Sequence, residues 1–168
     1  MHHFLTTNQT EPPFVSALAY SLMMALLLLS VYASIKYHKN PSFVKSMKIL
    51  QLCQLAVLYS WYVGFQLPLA NSLPLYHCRL AMFAVVFLPD KWPSKQYFAL
   101  LGASGAVFAL GYPVFDPYDF PHITSFSFLI GHYALLVNSL IYLMNHYDKT
   151  LLKKYMIVAY TFILNLFL

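Results

Sequence analysis

Residues 14–35 read FVSALAYSLMMALLLLSVYASI, 22 consecutive positions without a charged side chain. A helix needs about 20 apolar residues to cross the hydrocarbon core of a bilayer, so this stretch predicts a membrane-spanning helix. The preceding MHHFLTTNQTEPP lacks the Lys or Arg of a signal-peptide n-region, and no small-residue cleavage site follows the apolar run. The helix is therefore expected to be retained.

The rest of the chain repeats the pattern. Of 168 residues, 60% are hydrophobic and 9% charged, against about 25% charged in soluble domains. Further apolar runs lie at 43–65, 73–89, 97–115, 124–145 and 155–168. The fold class expected is all-α: a polytopic transmembrane helical bundle of about six spans, forming a single domain over residues 1–168. The runs at 14–35, 43–65 and 124–145 are long enough to span with ease, and the last stops with the chain itself. The run at 73–89 is short and interrupted by polar residues. The run at 97–115 carries Gly102, Gly105 and Gly111, small residues that let a neighbouring helix approach closely. Between the runs, KYHKNPS, QLPLANS, DKWPSKQ, DPYDFPHIT and HYDKTLLKK carry turn chemistry.

Charge gives the orientation. The formal net charge is +5, and in so apolar a chain the excess reads as topology, because short cytoplasmic loops are enriched in Lys and Arg. Lys36, Lys39, Lys45 and Lys48 flank the first connection, Lys91 and Lys95 the third, and Lys149, Lys153 and Lys154 the fifth. The second and fourth carry no cation in their cores, and Asp116 and Asp119 sit in the fourth. Odd loops are expected inside, and even loops and the N-terminus outside, in a cell membrane. No basic patch with interleaved aromatics points to nucleic acid. Cys53 and Cys78 stand in apolar context, which argues against a disulfide framework. No Cys or His spacing resembles a zinc site, so neither a metal nor a cofactor is expected.

One stretch breaks the apolar pattern. LPLYHCRL, residues 73–80, places His77, Cys78 and Arg79 together near the start of the third run, just after an outside loop. FLIGHYALL, residues 128–136, lies near the start of the fifth, after another outside loop. At about 1.5 Å per residue, Cys78 and His132 lie at similar depth, roughly 8–12 Å from that face. A thiol within reach of an imidazole is the minimal arrangement for a nucleophilic cysteine. A membrane Cys is more commonly a small buried hydrophobe, whereas an ionisable group in a spanning helix marks a site by default.

The pattern LPLxxC at 73–78, followed by FPHxxSFxFLxGHxxLL at 120–136, resembles the YwaF-type integral membrane proteins, related to the transmembrane protein 164 type acyltransferases. The eukaryotic relatives are acyltransferases that remodel ether phospholipids, and the resemblance runs from the second span to the fifth. It implies a cysteine nucleophile carried as an acyl thioester and a histidine from a later helix, which fall on Cys78 and His132. Many bacterial members place His two positions before the cysteine, where this chain has Tyr76. His77 is adjacent to Cys78, and neighbouring helical positions point about 100° apart, so His77 is not expected to act as the base. The family fold has about seven spans, so the chain reads as C-terminally shortened, with a partner protein or a second copy expected to complete it.

The expected function is thus lipid acyl transfer through Cys78 with His132 as base, with membrane lipid as the partner. Arg79, His77 and Asn138 are the candidate substrate-contacting groups. Arg79 would hold a lipid phosphate or snorkel to the interface. Asn138, six positions after His132, faces another side of its helix, where an interhelical hydrogen bond is the simpler role. Gln51, Gln54 and Gln66 carry the same simple reading. Asp116, Asp119 and His122 would close over a headgroup or merely solvate a loop. The competing class is non-catalytic: a transporter component or partner-binding subunit whose polar cluster packs helices.

Overall fold

In a computed structural model the protein is described over residues 4–65, 67–68 and 76–151. The sixth apolar run, Gln66 and the Leu-Pro-Leu of LPLYHCRL lie outside the described residues. Among the described residues there are five helices and no strand.

Helix α1, Ala17–Tyr37, opens at Ser16, whose hydroxyl accepts the Ala19 N–H at 3.2 Å. Helix α2, Pro41–Gly64, opens at Asn40, whose carboxamide oxygen accepts the N–H groups of Ser42 and Phe43. Pro41 fits the first turn because the N–H it lacks would be unpaired there anyway. Helix α3, His77–Phe87, has only 11 residues and rises about 16 Å at 1.5 Å per residue, well short of a span. Helix α4, Pro93–Gly111, begins at a proline four positions before the expected run and stops at Gly111. Tyr112 stands next to Pro113, and the residue before a proline is pushed out of the helical region. Helix α5, Ile123–His146, is capped by His122, whose Nδ1 accepts the Thr124 N–H at 3.3 Å. Sequence reading places caps on Ser, Thr, Asp and Asn and misses this one.

Helices α1 and α5 are each long and apolar enough to cross a membrane. Helix α2 is as long as α5 but carries Lys45, Lys48, Gln51 and Gln54. Only Met23 and Ser34 of α1 are buried, and Leu18, Leu22, Leu28, Leu29 and Ile35 face outward. Helix α5 is the opposite: it packs against all four others, and Ala134, Leu135, Leu136 and Val137 are at most 5% exposed. Leu135 and Leu136 join Leu55, Ala81, Met82 and Ala106 in one core.

Two glycines set the spacing. A Cβ at Gly102 would stand 2.6 Å from Ser139 Oγ, 2.8 Å from Leu135 Cδ1 and 3.3 Å from Ala81 Cβ. Helices α3, α4 and α5 therefore meet where a hydrogen replaces a side chain. Gly131 gives the same clearance to Gln54 and Met82, each 3.1 Å from such a Cβ. Gly111, expected to act likewise, has nothing within 4 Å.

The helices alternate in direction, so the bundle has two ends. At one, Asn145 Nδ2 donates to His38 O, and Gln96 exchanges hydrogen bonds with the Asp148 backbone. Lys95, expected in the third connecting loop, lies in the first turn of α4 and is 2% exposed. Its ammonium donates to Asp90 Oδ1 and Leu88 O, both at 2.7 Å. Burial alone would raise the Asp90 carboxyl, but the hydrogen bond and charge of Lys95, with Lys48 and His146 further off, hold it below the usual carboxylate range. At the other end, residues 4–10 cross the bundle as a strap. Phe4 O accepts the Ile123 N–H at 3.1 Å, Leu5 O accepts Trp61 Nε1 at 3.2 Å, and the Thr10 N–H donates to Pro117 O at 2.8 Å. Arg79, the chain's only arginine, stands at the strapped end with Asp116, while the lysines flanking the described loops gather at the opposite one.

Candidate functional site

Under the strapped end lies a cavity of about 210 Å3 between α2, α3 and α5. Cys78, His77, Arg79 and Met82 reach it from α3, His132, Phe128, Ser127 and Thr124 from α5, and Gln54, Leu55 and Leu58 from α2. Two sequence motifs about fifty residues apart thus share one wall-to-wall space. Cys78 and His132 are both partly buried, whereas Cys53 is exposed on the outer face of α2.

His132 is fixed from behind. Its Nδ1 lies 2.7 Å from the Phe128 carbonyl, one turn earlier, and a carbonyl only accepts, so Nδ1 carries the proton. The lone pair is then on Nε2, the state a general base requires. The Phe128 ring packs on the imidazole at 4.4 Å between centroids, with Phe115 behind it at 4.8 Å.

Cys78 and His77 both pack against α4. A Cβ on Gly105 would meet Cys78 Sγ at 3.1 Å, His77 Cδ2 at 3.3 Å and His77 Nε2 at 3.4 Å. Both side chains thus pack into the gap left by one glycine of α4.

Arg79 donates from Nη2 to Tyr62 OH, and its guanidinium lies 5.1 Å from the Tyr62 ring centroid and 5.3 Å from that of Tyr76. It borders both the cavity of Cys78 and a second one of about 280 Å3, lined by Gln9, Trp61, Tyr62, Tyr118 and Asp116. The outer chamber is polar and lies beneath the strap, and the inner one exposes mainly apolar surface while polar side chains from three helices also border it. Asp116 borders both chambers and Asp119 borders neither.

His122 has a structural task. Its Nε2 donates to Thr6 O at 3.1 Å, and Nδ1 accepts from Thr124 Oγ1 at 2.9 Å as well as from the Thr124 N–H. It stacks on Tyr118 at 4.2 Å and meets the edge of Trp61 at 5.3 Å. Burial pushes this imidazole below its ordinary value, with the Thr6 carbonyl and Asp116 pulling the other way. Asn138 lies away from the thiol: Nδ2 donates to Met47 O at 3.0 Å, and the side chain borders a small cavity near Lys95.

Sequence reading did not single out Ser127, and it gave Gln54 a packing role only. Gln51 Nε2 donates to Gln54 Oε1 at 2.8 Å, and Gln54 Nε2 donates to Ser127 Oγ at 2.5 Å. The available signal is the i, i+3 pairing of Gln51 and Gln54, which puts two amides on one face of an apolar helix. Among the described residues no cluster of His, Cys, Asp or Glu could hold a metal ion.

A family model, that of the TMEM164 family, matches residues 4–168. No curated protein and no solved structure matches the chain.

Proposed function

The chain belongs to the TMEM164 family, and we propose that it is a polytopic membrane protein that transfers acyl groups between lipids through a thioester on Cys78. The observation that carries this reading is the shared cavity: a thiol and an imidazole whose Nε2 is the free base face one space of mainly apolar surface. His132 Nε2 takes the Cys78 proton. The sulfur attacks the carbonyl carbon of a phospholipid ester, the carbon–oxygen bond breaks, and the departing alcohol oxygen takes the proton from His132. A second lipid's hydroxyl then gives its proton to Nε2 and attacks the thioester. The carbon–sulfur bond breaks, and the proton returns to sulfur. No oxidant or metal enters this balance.

Arg79 holds a lipid phosphate at the junction of the two chambers, with His77 beside the thiol. Asn138, committed to α2, is left out of the substrate set. The lysine-rich end faces the cytoplasm, which puts the N-terminus and the site at the outer leaflet of the cell membrane. The outward leucines of α1 support immersion, because in hydrocarbon they need no protein cover.

Intact-mass analysis of the purified protein tests the reading. An acyl adduct that hydroxylamine removes and that Cys78→Ser lacks is the expected result. If no adduct forms, and Cys78 and Cys53 react equally with a lipid-soluble iodoacetamide, Cys78 is only a packing residue.

A further inference from the structure

We propose that Ser127, held by the Gln51–Gln54 chain, donates the hydrogen bond that stabilises the oxyanion during acyl transfer at Cys78; this rests on the thioester reading above. When sulfur attacks an ester carbonyl, the carbon–sulfur bond forms as the π pair moves onto oxygen. That negative charge needs a donor held on the cavity wall. Beyond the first turns, helical N–H groups are spent on their own backbone, and the Thr124 hydroxyl is committed to His122 Nδ1. Tyr76 and His77 bring uncharged donors to the cavity wall from the start of α3, beside the thiol, and Gln54 and Ser127 bring them from α2 and α5.

The hydrogen bonds of Gln54 and Ser127 run in one direction. Gln51 donates to Gln54 Oε1, and Gln54 donates to Ser127 Oγ, so one lone pair of that oxygen is occupied. Among the described residues no acceptor takes the Ser127 proton. The chain therefore ends on an unspent O–H at a cavity that also contains the thiol. Ser127 is 8% exposed, Gln54 7% and Gln51 0%, and burying such groups in an apolar bundle costs stability. Gly131 makes the arrangement possible, since a Cβ there would stand 3.1 Å from the Gln54 carboxamide. Rigid support from behind is what a preorganised donor requires, because it need not reorient as charge develops.

Two reagents separate this role from packing. Acylation of Cys78 by p-nitrophenyl octanoate passes through a tetrahedral oxyanion, whereas alkylation by iodoacetamide displaces iodide and forms none. In detergent-purified full-length protein, with intact mass as the readout, Ser127→Ala should slow acylation of Cys78 about 100-fold and leave alkylation unchanged. Ser127→Thr, which keeps the hydroxyl, should recover much of the rate. Gln54→Leu should slow acylation less than Ser127→Ala does, and again spare alkylation. Equal slowing of both reactions in Ser127→Ala would make Ser127 a packing residue, and unchanged acylation would remove it from the chemistry. If wild-type Cys78 is acylated no faster than Cys53, the thioester reading fails and this proposal fails with it.

Discussion

Gly102→Ala tests the tightest junction of the bundle. The added carbon would stand 2.6 Å from Ser139 Oγ and 2.8 Å from Leu135 Cδ1, well inside van der Waals contact. Neither neighbour has slack, since both are 0% exposed, so α4 must move from α5 or two side chains must leave their rotamers. Overpacking of this kind costs about 1–3 kcal/mol. Alanine's preference for a helix over glycine returns about 1 kcal/mol, and the net is a loss of up to about 2 kcal/mol. Gly111→Ala is the matched control: with nothing within 4 Å, it keeps only the propensity, about 0.5 kcal/mol or less at a helix end. Unfolding of both variants in mixed dodecylmaltoside and SDS micelles, followed by circular dichroism, gives the difference directly. Trimming Leu135 to Ala in the Gly102→Ala background should shrink the cost, because the two sites share the clash. A Gly102→Ala protein as stable as Gly111→Ala would refute the three-helix contact.

Three further outcomes are expected. Because burial lowers the His122 value below about 6.5, the unfolded chain binds this proton more readily than the folded one; the contribution is full above pH 6.5 and is lost as pH falls below it, which Trp61 emission in a Trp92→Phe background should follow and His122→Gln should abolish. Asp90→Asn leaves a 2% exposed ammonium without its carboxylate and should cost about 2 kcal/mol, short of the full cost of breaking a buried pair since Asn keeps an acceptor. Lys95→Met should cost less, about 1 kcal/mol, because the 46% exposed Asp90 side chain is hydrated; denaturation midpoints decide the order. In a Cys53→Ala/Cys78→Ala background, Asp119→Cys should react with an impermeant maleimide added outside cells and Lys91→Cys should not, and the reverse pattern would overturn the orientation.

What the sequence revealed, and what it hid, follow from the range of the forces involved. Residues 14–35 announce α1, observed at Ala17–Tyr37, because a long uncharged run needs no tertiary information. Cys78 and His132 were legible as a pair through motif spacing, and they do share a cavity. Helix α3 was overestimated because hydropathy measures apolarity and not helix length, and its 11 residues sit inside a longer apolar run. Lys95 read as a loop cation because its partners, the Leu88 carbonyl and Asp90, lie in a turn whose geometry no composition conveys. The Gln54–Ser127 bond joins positions 73 apart, and the shared seat of Cys78 and His77 depends on a glycine of another helix. Such contacts come from packing, and neither partner's local sequence encodes them.

The strap has a consequence for the timing of synthesis. Thr6 and His122 are 116 residues apart, so at about 5–20 residues per second the first waits roughly 6–23 seconds for the second to be made. During that interval α1 is completed, and Trp61 of α2 can engage the strap through Leu5 O while its contacts with Pro117, His122 and Ile123 are still missing. Residues 4–10 are therefore made before α1 and fully fastened only after the start of α5 has emerged, which is also when the chamber beneath them is completed. A translation-arrest series that probes protease resistance at Phe4–Thr10 should show full protection only in nascent chains long enough for residue 123 to have cleared the ribosome.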